Sequence, residues 1–193
     1  MSSTRTREKI LEAARTLLEE GHLDAGLERV AKAAGVSRQA IYLHFGSRAA
    51  MLLALVEFVD EREGLSELSA QVRSAPSGTE ALDRLVQMNA AYEPRIRAVA
   101  LAHDIARRGD PDLEVAWQDR MRRRRSLYSE VVKRLDDDGV LAASVSPREA
   151  VDVIWALLGP RVHEDLVVDR GWSRKRYVAR LRMLLRTALV ATG

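Results

Sequence analysis

The side chains of this protein best suited to chemistry stand in one run, Ser37-Arg38-Gln39-Ala40-Ile41-Tyr42-Leu43-His44-Phe45. They are the types that read a double helix. Arginine pairs with guanine N7 and O6, glutamine pairs with adenine, and an alanine methyl touches a thymine methyl. Ser37, Tyr42 and His44 suit phosphate oxygens, which set position without reading sequence. Two other groupings hold catalytic residue types, His103-Asp104 and His163-Glu164-Asp165. They define an alternative, an α-helical enzyme with a histidine and carboxylate site. Against it, no second histidine lies four residues after His163, and neither a phosphate-binding glycine loop nor a serine elbow is present. The expectation is therefore a binding protein and not an enzyme, with no cofactor and no metal.

Positioning such a row requires a particular scaffold. Two short helices that cross steeply need a small residue where they touch, a residue at ease with positive φ in the turn, and an apolar residue just after it. Ala31, Gly35 and Val36 supply these, Ile41 closes the small core from the second helix, and Ser37 is a good N-cap. The stretch reads as a helix-turn-helix.

Elsewhere apolar residues recur at spacings of three and four, the helical period, and alternating strand patterns are absent. A first helix is predicted from about Thr6 to Glu20, with Ile10, Leu11, Ala14, Leu17 and Leu18 inward. A fourth should run from Ser47 to about Ser66. Ser74 to Gly78 reads as a loop, Thr79 begins the next helix, and Pro94 begins another. Gly109-Asp110-Pro111 reads as stop, N-cap and first-turn proline ahead of a long helix ending at Asp138-Gly139. Ser146-Pro147-Arg148-Glu149 is a capping box opening a helix to Leu158, which Gly159-Pro160 should break. Ser173 caps the last helix. The expected fold is all-α, with about nine helices.

Composition sets the outer bounds. The 193 residues carry 31 Lys and Arg against 28 Asp and Glu, a net charge of +3, and no cysteine. Disulfides, thiolate metal sites and cysteine nucleophiles are excluded together. No apolar stretch approaches the roughly 20 residues that span a bilayer, and the first residues lack the apolar segment of a secretory signal. A cytoplasmic protein with no membrane partner is expected. Net charge alone does not mark a nucleic-acid binder; Arg5, Arg7, Arg38 and Arg48 matter by placement.

Over its first sixty residues the chain resembles the TetR family of bacterial transcriptional regulators. The matching residues are Thr6 to Ala14, Val30-Ala31, Ala34-Gly35-Val36-Ser37-Arg38, Ile41-Tyr42, His44-Phe45 and Ser47-Arg48. The resemblance implies a DNA-binding domain at 1–46, a connecting helix at 47–66, and an effector-binding and dimerisation domain at 67–193. It also implies a homodimer on a pseudo-palindromic double-stranded DNA operator at the bacterial nucleoid, and a repressor released by a small molecule. On this match Ser37, Arg38, Gln39, Ala40, Tyr42, His44 and Arg48 meet DNA, and Arg5 and Arg7 form an N-terminal arm near the backbone. The chain departs from the family where Ala25-Gly26 replaces a hydroxyl residue at the start of the second helix. His22 stands for an aromatic, and Gln39-Ala40 for a Gly-Thr pair, so an operator sequence does not carry over from relatives.

The C-terminal half is less explicit. Ala150 to Leu158 is apolar nearly all round and the last helix has a wide apolar stripe, so both need cover on two sides. Val151, Trp155, Leu158, Tyr177, Leu181, Leu184 and Ala188 are the candidate dimer interface, as a four-helix contact. Met88, Tyr92, His103, Trp117, Met121, Arg124, Tyr128 and Trp155 are candidate effector-binding residues, soft or aromatic groups on helices that would surround a pocket. Arg124 falls on an apolar stripe between Met121 and Tyr128, where it either snorkels past the stripe's edge or lies inside and needs an anion, such as an acidic group on a mostly apolar ligand.

Overall fold

The computed structural model describes residues 3–191. Ten α-helices make up most of it, with no strands among the described residues. The first four are α1 (Ser3–Glu19), α2 (Leu27–Ala34), α3 (Arg38–Phe45) and α4 (Arg48–Arg62). Then come α5 (Leu65–Arg73), α6 (Gly78–Ala106), α7 (Pro111–Asp137), α8 (Pro147–Leu157), α9 (Pro160–His163) and α10 (Arg174–Leu189). A 3-10 turn at Arg107–Gly109 joins α6 to α7, and a π-helical stretch, Glu164–Asp169, follows α9.

The capping chemistry appears as expected from sequence. The Ser146 hydroxyl accepts from the Glu149 N–H while Glu149 reaches back to Ser146. Ser173 caps α10, and the Asp110 carboxylate accepts from the N–H groups of Asp112 and Leu113. Three expectations are corrected. Pro94 does not begin a helix; it lies inside the 29-residue α6. Its missing N–H leaves one rung of the helix ladder unmade. Buried residues on both sides, Leu82, Leu85 and Val86 before it and Ile96 and Val99 after it, hold the helix together regardless. The fourth helix stops at Arg62 and not near Ser66, and a separate helix, α5, follows Glu63-Gly64. The first helix extends back to Ser3, so Arg5 and Arg7 sit in its opening turns and not in an extended arm.

Compactness groups the chain by contact and not by covalent order. One unit comprises Met1–Glu63 with Arg95–Arg120, and the other Gly64–Pro94 with Met121–Gly193. The first is built on Ile10, Leu11, Leu18, Val30, Ile41, Leu55 and Val59, all buried, with α4 tied to α1 by ion pairs from Arg15 to Glu63 (2.7 Å) and Arg62 to Glu12 (2.6 Å). The core of the second includes Leu82, Leu85, Tyr128, Leu135, Ile154, Tyr177 and Leu181.

Within the second unit the loop before α6 is gripped by the end of α7. The Arg134 guanidinium donates to the carbonyls of Arg73 (2.9 Å) and Ala75, and the Asp138 carboxylate accepts from the Gly78 N–H at 2.6 Å. The bases of α10 also have local work: Arg186 makes a two-toothed pair with the buried Asp83 (2.9 and 2.6 Å), which Arg182 approaches at 3.7 Å.

Candidate nucleic-acid interface

The turn between α2 and α3 is built by local chemistry. Gly35 takes a left-handed conformation at φ 60°, where a Cβ would be strained. The Val36 N–H then folds back to the Ala31 carbonyl (3.0 Å) and the Gly35 N–H to Lys32 (3.2 Å), satisfying the last carbonyls of α2. Ser37 adopts extended backbone, and its Oγ accepts from the Ala40 N–H at 3.1 Å. That bond uses the oxygen as acceptor and leaves the hydroxyl hydrogen to donate to a phosphate. Ile41 is fully buried beneath the helix.

Away from the buried Ile41, Arg38, Gln39 and Tyr42 are exposed along one flank of α3, and Ala40 is half-buried. The Arg38 guanidinium rests on Tyr42, donating to the phenol oxygen at 3.2 Å with its carbon 5.6 Å from the ring centre. Helical spacing at i and i+4 makes this contact and holds the arginine on the exposed side. His44 is half-buried. Phe45 is half-buried too, less enclosed than its apolar type suggests, with Arg7 lying 5.4 Å over its ring. Arg5 is exposed near the start of α1. Arg48 opens α4, exposed, just after Ser47, whose Oγ accepts from the Ala50 N–H at 3.0 Å. His22 accepts an arginine neighbour, Arg29, at 3.0 Å.

The eight candidate effector residues divide between the two compact units. In the first, His103 is 2% exposed and meets Trp117 edge to face at 5.5 Å. Its Nε2 lies 2.9 Å from the Leu113 carbonyl, which places the proton on that nitrogen and leaves Nδ1 buried without a partner. The ring borders a crevice of ≈ 10 Å³, about one water's worth, shared with Val59 and Asp60 of α4, Ile96 and Val99 of α6 and Arg120 of α7. Asp60 and Arg120 form a two-toothed ion pair. Burial pushes the His103 pKa below the usual histidine value. The Leu113 carbonyl opposes that shift, while the charges of Arg120 and Arg107 reinforce it.

A pH dependence follows. As pH falls below about 6.5, the unfolded chain takes up a proton that the folded ring refuses. Stability should drop by up to about 1.4 kcal/mol per pH unit until the folded ring itself protonates. Urea melts from pH 8 to 5.5 should show this loss in the native protein and a flatter profile in His103→Gln; identical profiles would exclude it.

In the second unit, Arg124, Tyr128 and Trp155 come together. The Arg124 Nε donates to the Tyr128 hydroxyl at 2.7 Å, and its guanidinium lies 5.3 Å from the Trp155 ring centre and 5.6 Å from that of Tyr128. Its Nη2 donates to the Leu158 carbonyl. That carbonyl is available because the chain turns at Gly159-Pro160, where the Val162 N–H bonds Gly159 instead. A cation at this point also faces the negative end of the α8 dipole. Asn89 Nδ2 donates to the same oxygen (3.0 Å), and the Tyr177 hydroxyl donates to Asn89 Oδ1 at 3.4 Å. Burial pushes the Tyr177 phenol up to about 12. Tyr92 is buried, and Met88 and Met121 are half-buried.

Sequence reasoning passed over Asn89 as a site residue. Its signal was a polar residue in the buried stripe of Leu82, Leu85 and Val86 on α6. Among the candidate dimer residues, Val151, Leu158, Tyr177 and Leu181 are buried within the chain, Trp155 is half-buried, and Leu184 and Ala188 are exposed, with Met183 beside them.

The residues of the enzyme alternative also separate, His103 and Asp104 falling in the first unit and His163 and Glu164 in the second. Asp104 is occupied by Arg107 at 2.7 Å and Arg108 at 3.4 Å. Partial burial works to raise its pKa, but the bonds and charges of those arginines outweigh it and hold the carboxyl low. His163 is buried edge-on to Tyr177 at 5.3 Å. Among the described residues no three His, Asp or Glu side chains converge on a metal position, and no single helix is long and apolar enough to cross a membrane.

Comparison with known proteins bears on the helix-turn-helix first. The model of the bacterial regulatory proteins, tetR family, matches residues 10–55. Over 60 residues the chain is 43% identical to the nucleoid occlusion factor SlmA of Vibrio campbellii, a match covering 30% of this chain and 31% of that relative. The chain thus spans about a third of the curated relative it matches. Solved structures extend the likeness to the whole fold. A protein from Saccharomonospora viridis described as a transcriptional regulator, in complex with choline, superposes with a TM-score of 0.82 at 19% identity, over 98% of this chain and 100% of that one. The transcriptional regulator FadR of Bacillus subtilis, in complex with stearoyl-CoA, gives 0.73 at 18% identity, over 94% and 98%.

Proposed function

We propose, from the match of residues 10–55 to the model of the bacterial regulatory proteins, tetR family, that this chain is a ligand-responsive transcriptional regulator. It represses from a pseudo-palindromic operator in the bacterial cytoplasm and leaves that operator when a small molecule binds. The observation that carries this reading is the exposed row of Arg38, Gln39 and Tyr42 on a helix whose N-cap, Ser37, and left-handed glycine, Gly35, set it out from the domain. Arg38 and Gln39 read base edges, Ala40 adds a methyl contact, and Ser37, Tyr42, His44, Arg48, Arg5 and Arg7 hold phosphates.

Two copies are needed. Recognition helices one DNA turn apart, ~34 Å, fill successive major grooves. The exposed Leu184 and Ala188 of α10, with Met183, are the surface through which a second copy docks, and the half-buried Trp155 is a further candidate. Sedimentation at micromolar concentration should show a species of twice the chain mass. A monomer alone would overturn the dimer and the two-site operator with it.

The effector acts through α6 and α7. Each helix lies partly in the second unit and partly in the first, where it contributes residues to the crevice beside α4. A ligand that displaces either one therefore reaches α4, the helix that follows the recognition helix. To release DNA it must favour the displaced state by a few kcal/mol. Choline and stearoyl-CoA in the complexes of two fold relatives support a small-molecule effector. For this chain Arg124, held in one pose by Tyr128 and Leu158, is the anchor for an acidic group on a mostly apolar ligand. Met88, Tyr92, Met121, Tyr128 and Trp155, in the same unit as Arg124, are the residues against which its apolar part would pack, while the candidates His103 and Trp117 belong to the other unit.

The test is selection of duplex fragments from bacterial genomic DNA by the purified protein. A recurrent palindromic fragment, bound more weakly as salt rises, is the expected result. Equal retention of all fragments would overturn the reading.

A further inference from the structure

The exposed side of α3 holds more than polar readers. Leu43 follows Tyr42, stands four residues after Gln39 and three after Ala40, and is 81% exposed, more than any other large apolar side chain among the described residues. Helical spacing puts it on the same face as Gln39 and Ala40, one turn further along. Nothing in its own domain covers it, whereas Ile41, two residues earlier, is fully buried. A leucine left in water at the centre of a polar row has no packing role inside the chain.

We infer that Leu43 is a specificity-determining residue that reads the C5-methyl group of a thymine in the major groove. The inference rests on the DNA-binding reading above and extends it to one base. The occupant of this apolar spot follows from its continuity with Gln39 and Arg38, which in that reading enter the major groove. In that groove the one apolar group a base pair offers is the thymine methyl. Four residues of helix rise by about 6 Å, close to two base-pair steps. The thymine therefore lies within about two steps of the base that Gln39 reads.

Deoxyuridine differs from thymidine by that methyl alone, so it isolates the contact. A duplex recovered by selection with the full-length protein is resynthesised with each thymine of a half-site replaced in turn by deoxyuridine. Affinity is measured for the native protein and for Leu43→Ala by fluorescence anisotropy at fixed salt. At one position the replacement should weaken native binding by about fourfold, the worth of one methyl-sized group removed from water. Leu43→Ala should bind the thymine and deoxyuridine duplexes equally there. Its melting temperature should match that of the native protein, since the side chain is exposed. No sensitive position in the native protein overturns the assignment. So does a methyl effect that persists in Leu43→Ala, which would belong to Ala40 or another residue. Failure of the native protein to select any duplex overturns the DNA-binding reading itself, and the assignment with it.

Discussion

Arg38→Ala is expected to weaken binding to the selected duplex by about two orders of magnitude or more, with the fold unchanged. A bidentate arginine–guanine contact is worth about 1–3 kcal/mol, and a dimer on a palindrome makes it twice. The free protein loses little. The arginine is exposed, and its guanidinium rests on the Tyr42 ring and hydroxyl of its own helix. Thermal melting should therefore shift by no more than a degree or two while anisotropy titrations show the loss. The specificity pattern matters as much as the size. A base-reading arginine, when removed, relaxes preference at one position of each half-site, whereas a phosphate-holding residue lowers affinity for every sequence alike. Tyr42→Phe, which deletes only the hydroxyl, should fall in the second class with a loss of several-fold. If Arg38→Ala binds the selected duplex as tightly as the native protein, the recognition helix is not the surface that meets DNA.

Gly78→Ala should produce the largest loss of stability among single methyl additions. A Cβ at Gly78 would stand 2.6 Å from the Leu135 backbone nitrogen and 2.7 and 2.8 Å from the Arg134 carbonyl carbon and oxygen. These are backbone atoms of α7, which cannot rotate aside as a side chain would. The start of α6 must move off α7, stretching the Asp138 bond to the Gly78 N–H and the Arg134 grip on the Arg73 and Ala75 carbonyls. Overpacking of this kind costs about 3 kcal/mol, which for a chain of this size lowers the melting temperature by roughly 6–12 °C. Gly26→Ala, where a Cβ meets open space, is the control. Equal melting temperatures for the two variants would mean that α6 and α7 are not in the close contact described.

What was legible in the sequence was local. Gly35, Val36 and Ser37 specify their turn by the conformations and bonds of neighbouring residues, so the recognition helix and its exposed row could be read directly. The capping box at Ser146 and the serine N-caps belong to the same class. What was not legible depends on residues far apart. Pro94 has the local character of a helix start, but apolar residues on both sides of it pack so well that the helix continues. The Leu158 carbonyl is freed by a break that the sequence announces. Its partners, Arg124 and Asn89, stand 34 and 69 residues away, and no periodicity connects them. The same holds for the candidate dimer residues. An apolar stripe marks which side chains must be covered, but Tyr177 and Leu181 are covered from within the chain, and Leu184 is not.

The interleaving of the two compact units limits how this protein can be divided. Residues up to Glu63 contain the helix-turn-helix and its exposed row, yet the unit they form is completed by Arg95–Arg120. A fragment ending at Glu63 would leave Val59 without Ile96 and Val99 and Asp60 without its two-toothed pair to Arg120, exposing apolar surface there. Recombinant dissection, domain grafting or fusion to a reporter at that junction should therefore yield an aggregation-prone headpiece. The usable boundaries for engineering lie at the turns outside the shared helices.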